Sequence, residues 1–134
     1  MIRLLYISTA RSPLTPAELE RVLRVSRRNN RAVDVTGLLI VGGRRFLQAL
    51  EGPVEAVLAT FERIRADPRH FAVVILSRSA IEQRQFGGWA MGYQPGAPLG
   101  ADADVAHDVE ALIAPIEDPV VRAYFHQFAL QHAA

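Results

Sequence analysis

Residues 36–52, TGLLIVGGRRFLQALEG, constrain the fold more than any other stretch of the chain. Two largely apolar runs, 36–41 and 45–51, flank Gly42-Gly43, a pair suited to the tight turn of a β-hairpin. Side chains alternate between the faces of a strand, so Phe46, Gln48 and Leu50 share one face, and an amide lies between two large apolar groups. If that face is buried, the amide must find partners or cost roughly 1–3 kcal/mol.

The flanking segments supply the rest of a sheet. Residues 2–8 (IRLLYIS) predict a first strand with Leu4, Tyr6 and Ser8 on one face. Thr15-Pro16-Ala17-Glu18 combines a capping box with proline at the first helical position. Leu19, Val22, Leu23 and Ser26 then recur at helical spacing, which predicts a helix to about Asn29. After Gly52-Pro53, the residues Val54, Val57, Leu58, Phe61 and Ile64 form a second amphipathic stripe that stops before Asp67-Pro68. Residues 71–77 predict a fourth strand, and 85–92 (QFGGWAMG) a weaker fifth on which Trp89 and Met91 share a face.

The order β-α-β-β-α-β is the ferredoxin-like pattern, an α+β fold with an antiparallel sheet and two helices on one face. Strands 1 and 3 are central neighbours in such a sheet, which brings Tyr6 within reach of Gln48. A Pro/Gly-rich linker over 94–100 leads to two short predicted helices, 102–113 and 119–131. The expected organisation is therefore a sheet-and-helix domain over 1–93, then a linker and C-terminal helices over 94–134.

Composition narrows the chemistry. With 134 residues, 50% hydrophobic and 22% charged, the chain suits one ordinary globular domain. It has no cysteine, which excludes disulfides and thiolate catalysis. The net charge of +1 hides an uneven spread, for Arg21, Arg24, Arg27, Arg28 and Arg31 crowd one segment while acids gather after Asp102. That cluster fits a small anionic ligand better than nucleic acid. No apolar run reaches the length of a membrane span and the start makes a poor signal peptide, so a soluble, cytoplasmic protein is expected.

The four histidines include no i, i+4 pair and no HExxH, so no metal site is expected. Neither a G-x-S-x-G elbow nor a P-loop is present. Arg11 and Asn30 would be the tools of a small acyl-phosphate hydrolase, but no general base accompanies them.

Each polar residue also has a plain structural explanation. Gln48 can bond a neighbouring main chain, Tyr6 can be a core tyrosine, and Trp89 and Met91 can be plain core. Ser26-Arg27-Arg28-Asn29-Asn30 can be a helix C-terminus, where asparagine tolerates left-handed geometry. Asp67-Pro68-Arg69-His70 can be a turn with a solvated charge pair.

Together with Thr36-Gly37-Leu38-Leu39, the segments Tyr6-Ile7-Ser8, Ser26–Asn30, Phe46–Gly52, Asp67–His70 and Trp89-Ala90-Met91 resemble, in order and spacing, the BLUF family of blue-light sensors using FAD. The resemblance covers about residues 1–93. It implies a flavin, FAD or FMN, between the two helices, flanked by Val22 and Ile64. Asn30 would meet the ring's N3–H and C4=O edge with Asn29 close by, and Ser8, Ser26, Arg63, Asp67, Arg69 and His70 fall at further cofactor-binding positions.

Tyr6 and Gln48 would be the photoactive pair, with Trp89 or Met91 beside the glutamine. The implied mechanism is light-driven electron and proton transfer from the tyrosine, which leaves the glutamine rearranged and the absorption shifted to the red. Such a protein is a switch and not an enzyme. It would signal to a separate, unidentified effector protein and self-associate through its C-terminal helices, without binding nucleic acid or membrane. The alternative is a flavin-free ferredoxin-like protein-interaction module.

Overall fold

The computed structural model describes residues 1–12, 15–42, 44–86, 92–95 and 117–132. Its elements are β1 (Ile2–Ala10), α1 (Pro16–Ala32), β2 (Thr36–Gly42), β3 (Arg45–Gly52), α2 (Val54–Arg65), β4 (His70–Ala80), β5 (Gly92–Pro95) and α3 (Pro119–His132). They build a five-stranded sheet of order β4-β1-β3-β2-β5. Among the first four strands every neighbouring pair is antiparallel, as the ferredoxin-like pattern requires. No helix among the described residues is long and apolar enough to cross a membrane.

Alternation along the strands sorts the core into two layers. Leu4, Tyr6, Leu39 and Leu50 face α1 and α2, where they meet Leu19, Leu23, Val57 and Phe61. Leu5, Leu38, Ile40, Leu47 and Ala49 face the opposite way, against Phe86 and the α3 side chains Val121, Phe125 and Phe128. Those α3 positions recur at spacings of four and three, which puts them on one helical stripe. Burying each phenylalanine contributes roughly 1.5–3 kcal/mol before the cost of ordering the helix.

Local signals explain the element starts. The Thr15 hydroxyl accepts the Glu18 backbone N–H at 3.1 Å and donates to the Glu18 carboxylate at 3.0 Å. Helix α1 runs past Asn29, its expected end, because Asn30 is buried within the last turn and its carbonyl accepts the N–H groups of Val33 and Val35. Strands β1 and β4 likewise run longer than the apolar runs that announce them.

Strand β4 carries irregular register against β1 between Leu5 and Tyr6 and between Ile7 and Thr9. Ala72, at φ 53°, lies at the second of these.

The fifth strand departs from expectation in place and direction. Its described part is Gly92–Pro95, which shares only Gly92 with the expected 85–92, and it pairs parallel to β2, so the sheet is mixed. Gln85 and Phe86 lie outside it because the Glu51 carboxylate takes both of their N–H groups, at 3.0 and 2.7 Å. Gln94 belongs to β5 and not to a linker. The helix expected over 102–113 falls outside the described residues, whereas α3 begins at the expected Pro119.

Gly52 joins β3 to α2 where no side chain fits. Its φ is +156°, and a Cβ there would lie 2.7 Å from the Asp34 carbonyl oxygen. Replacing Gly52 with alanine should therefore lower unfolding free energy by about 1–3 kcal/mol in urea melts. A loss below about 0.5 kcal/mol would show that the Asp34 main chain yields freely.

Candidate functional site

A cavity of about 280 Å³ opens between α1 and α2 above the centre of the sheet. Its floor is the middle of strands β1 and β3. Tyr6 stands directly opposite Gln48 in the β1–β3 register, and Gln48 opposite Leu39 in the β2–β3 register. Directly opposed residues hold their Cβ atoms about 4.5–5.5 Å apart, so the phenol and the amide share one patch of floor. Both are buried, at 2% and 6% exposure.

The sheet and α2 hold the phenol in place. Its ring meets Phe61 edge-on, with centroids 5.1 Å apart. Burial pushes the Tyr6 phenol well above its ordinary pKa, so the hydroxyl keeps its proton across the physiological range. A protonated phenol beside an amide is a donor facing a group with both a donor and an acceptor end.

Helix α1 supplies one wall. Val22, Ser26, Asn29 and Asn30 all line the cavity, Asn30 from a buried position at the end of the helix. Helix α2 and the turn after it supply the other wall, with Arg63, Ile64, Asp67, Arg69 and His70. Ser8 completes the floor beside Phe46. The structure thus gathers Tyr6, Gln48 and all the expected cofactor-side residues around one cavity, while Trp89 and Met91 lie outside the described residues.

His70 ties three elements together. Its Nε2 meets the Ile64 carbonyl, which can only accept, so that nitrogen carries a proton. In the neutral ring Nδ1 is then an acceptor, and it takes the Ser8 hydroxyl at 3.0 Å. The end of α2, the start of β4 and the floor of the cavity are joined through one imidazole.

Asp67 and Arg69 form a local clamp at the rim. The Arg69 Nε lies 3.0 Å from both Asp67 carboxylate oxygens, and the Arg69 backbone N–H donates to Asp67 at 2.9 Å. The Arg69 guanidinium bond holds the Asp67 carboxyl below its usual range.

Arg11 does not line the cavity. Its Nε donates to the Pro68 carbonyl at 2.9 Å and its guanidinium lies 5.3 Å from the Phe71 ring centroid. That role as a brace for the 67–70 turn removes the anion-binding arginine from the hydrolase alternative.

Leu19, Arg21, Val25, Leu39, Phe46 and Ala10 also line the cavity but were not assigned to it from sequence. The signal for two of them was available. Val25 lies three residues from Val22 and four from Arg21 and Asn29, the spacing that places side chains on one helical face. No cluster of three or more potential metal ligands occurs among the described residues.

The walls and floor suit a flat, largely neutral heteroaromatic ring. Leu19, Val22 and Ile64 give apolar surface for its faces, Asn29, Asn30 and Gln48 offer paired donors and acceptors at its edges, and Arg21 and Arg63 suit an anionic tail. Flavins have that constitution, so the residues present fit one.

Comparison with known proteins agrees. The family model described as BLUF, sensors of blue-light using FAD, matches residues 1–92, and the chain belongs to that family. Photoactivated adenylate cyclase subunit beta of Euglena longa is 36% identical over 83 residues, 62% of this chain but 10% of the relative. The chain therefore spans about a tenth of the length of that curated relative.

Among solved structures, BlrB, described as a BLUF protein in its dark state, superposes with a TM-score of 0.74 at 26% identity, covering 97% of this chain and 96% of that one. Klebsiella pneumoniae BlrP1 with FMN and cyclic diGMP gives 0.78 at 30% identity, covering 96% of this chain and 34% of that one.

The rim clamp yields a pH test. The Asp67 pKa is depressed in the folded state, so its contribution to stability is present above the unfolded value of about 3.9 and lost as pH falls through the folded value. Because the Arg69 side chain is 61% exposed, solvent screening keeps this below about 1 kcal/mol. Asp67→Asn should accordingly be slightly less stable than wild type in urea at pH 7 and equal to it near pH ~2. A gap that persists unchanged in acid would assign the effect to something other than the ion pair.

Proposed function

We propose that this chain is a blue-light switch that holds FAD, or FMN in its place, in the cavity between α1 and α2 and reports illumination to a separate effector protein in the cytoplasm. The observation that carries this reading is the buried cross-strand pair of Tyr6 and Gln48 on the cavity floor. A phenol and an amide side by side in a buried site have no structural task that two apolar residues would not perform at lower desolvation cost.

The division of labour follows from the residues. All of them line the cavity, where Val22 and Ile64 would flank the ring, Asn29 and Asn30 would meet its polar edge, and Ser8, Ser26, Arg63, Asp67, Arg69 and His70 would position the remainder of the cofactor. Bound flavin supplies absorption of blue light and, once excited, an acceptor for one electron.

Tyr6 would be the donor of that electron, followed by the proton on its Oη. The hydroxyl is cut off from solvent, so the proton would pass to a group within the site and return with the electron. Gln48 carries the memory, because an amide presents a donor and an acceptor on one group that can rotate or tautomerise between two hydrogen-bonded arrangements. No bond to substrate is made or broken in this cycle, and the chain acts as a sensor and not as a catalyst.

The transmission path named by the same reading runs through Trp89 or Met91 to the C-terminal segment. Val120 on α3 is 54% exposed and gives that segment an apolar contact point for a second copy or the effector.

Two variants test the roles assigned to the pair. Tyr6→Phe and Gln48→Leu should each retain flavin on purification and each lose the reversible red shift under blue light. An intact photocycle in either variant would contradict the reading. A colourless wild-type protein that refuses reconstitution with FAD would favour the flavin-free interaction module.

A further inference from the structure

On the opposite face of β3 from Gln48 lies a buried carboxylate that the light chemistry does not use. Glu51 is fully buried, and its oxygens collect three donors from different parts of the chain. Oε1 accepts the Phe86 N–H at 2.7 Å, while Oε2 accepts the Gln85 N–H at 3.0 Å and the Arg3 Nε at 2.7 Å. Arg3, itself 7% exposed, extends the network with its Nη1 3.5 Å from Asp118 Oδ2. Asp118 in turn caps α3, taking the N–H groups of Val120 and Val121 at 2.9 and 3.3 Å.

The same two segments are joined again outside the carboxylate. The Gln85 side-chain oxygen accepts the Glu117 N–H at 3.1 Å, and Phe86 packs edge-on against Phe125 of α3 with centroids 6.1 Å apart. The three bonds to the carboxylate converge on one position of the central strand, three residues beyond Gln48.

We propose that Glu51 is the positioning residue for output: its carboxylate binds residues 85–86 and, through Arg3 and Asp118, the start of α3 to strand β3, so that a change in β3 at Gln48 reaches α3. The physical requirement is an acceptor-only group. All three partners are donors, and a neutral amide at this position would turn one of its two ends into a donor facing donors. A buried ion pair that loses one member leaves the other charge uncompensated, so the polar part of the junction depends on this side chain. Coupling of this kind requires an element with two arrangements that both sites bias, and α3 with the 85–86 segment is that element.

The light-dependent half of the proposal rests on the sensor reading above; the mechanical half does not. Amide hydrogen exchange on FAD-reconstituted wild type, Glu51→Gln and Asp118→Asn, in darkness and under blue light, tests both. In darkness Glu51→Gln should speed exchange at Gln85, Phe86 and the first turns of α3 together, by tenfold or more, with the β1 and β3 amides unchanged. Under light it should keep the flavin red shift yet lose the lit-minus-dark difference that wild type shows in α3, including at α3 amides whose dark exchange in the variant stays slow enough for a further increase to register, which loosening alone would not abolish.

Asp118→Asn, at a part-exposed position, should loosen α3 and weaken its light response while Gln85 and Phe86 stay protected. It serves in place of Glu51→Gln should that variant fail to fold. Dark exchange at α3 like wild type, a light response in α3 that survives the substitutions, or a red-shifting wild type with no light response in α3 would each overturn the proposal. If wild type shows no red shift, the sensor reading falls, and the dark exchange still decides whether Glu51 joins these segments.

Discussion

Strand β3 runs through the middle of the sheet, between β1 and β2, with packed helices over both of its faces. A strand in that place is normally apolar on both sides. This one carries an amide toward α1 and α2 and a carboxylate toward α3, both buried. The amide lies between Tyr6 and Leu39 on the neighbouring strands, and the carboxylate is held by Arg3 and two backbone N–H groups. The cavity, the position of residues 85–86 and the attachment of α3 all depend on β3 keeping its register, because a slip of one residue would exchange the two faces and bring Gln48 against α3.

Register is correspondingly well fixed. Strand β3 pairs with β1 along its whole length and with β2 from Arg45 to Glu51, its first residues are tied by Arg44 to the Ala10 and Arg11 carbonyls, and Gly52 at its end sits where only a glycine fits against Asp34. The irregular pairing lies instead between β1 and the edge strand β4. Bulges at a sheet edge re-aim side chains with little cost to the central ladder. Here β4 begins with His70, whose ring reaches Ser8 on the cavity floor.

Much of this was legible in the sequence, for identifiable reasons. The hairpin announced itself through two apolar runs around Gly42-Gly43, and both helices through stripes at helical spacing opened by Thr15-Pro16 and Pro53. The separated motifs then placed Asn30, Gln48 and His70, far apart in the chain, around one cavity. Less was legible where polar groups are buried against expectation. Nothing in the pattern of β1 or β3 marks Arg3 and Glu51 as buried, since each taken alone reads as a solvated charge.

The displaced fifth strand has the same origin. Residues 85–86 have strand-like composition, yet their N–H groups are bound by a side chain thirty-odd positions earlier, a long-range contact that periodicity does not register. Parallel pairing of β5 with β2 is likewise a tertiary choice.

The central claim is that the Tyr6 and Gln48 floor converts absorbed light into a reversible change of hydrogen bonding around a flavin. An absorption spectrum of the purified protein in darkness, under blue light and in darkness again tests it most directly. The account predicts a structured flavin band that moves to the red on illumination and returns fully in the dark. A flavin band that bleaches, or that holds its position under light, would contradict it.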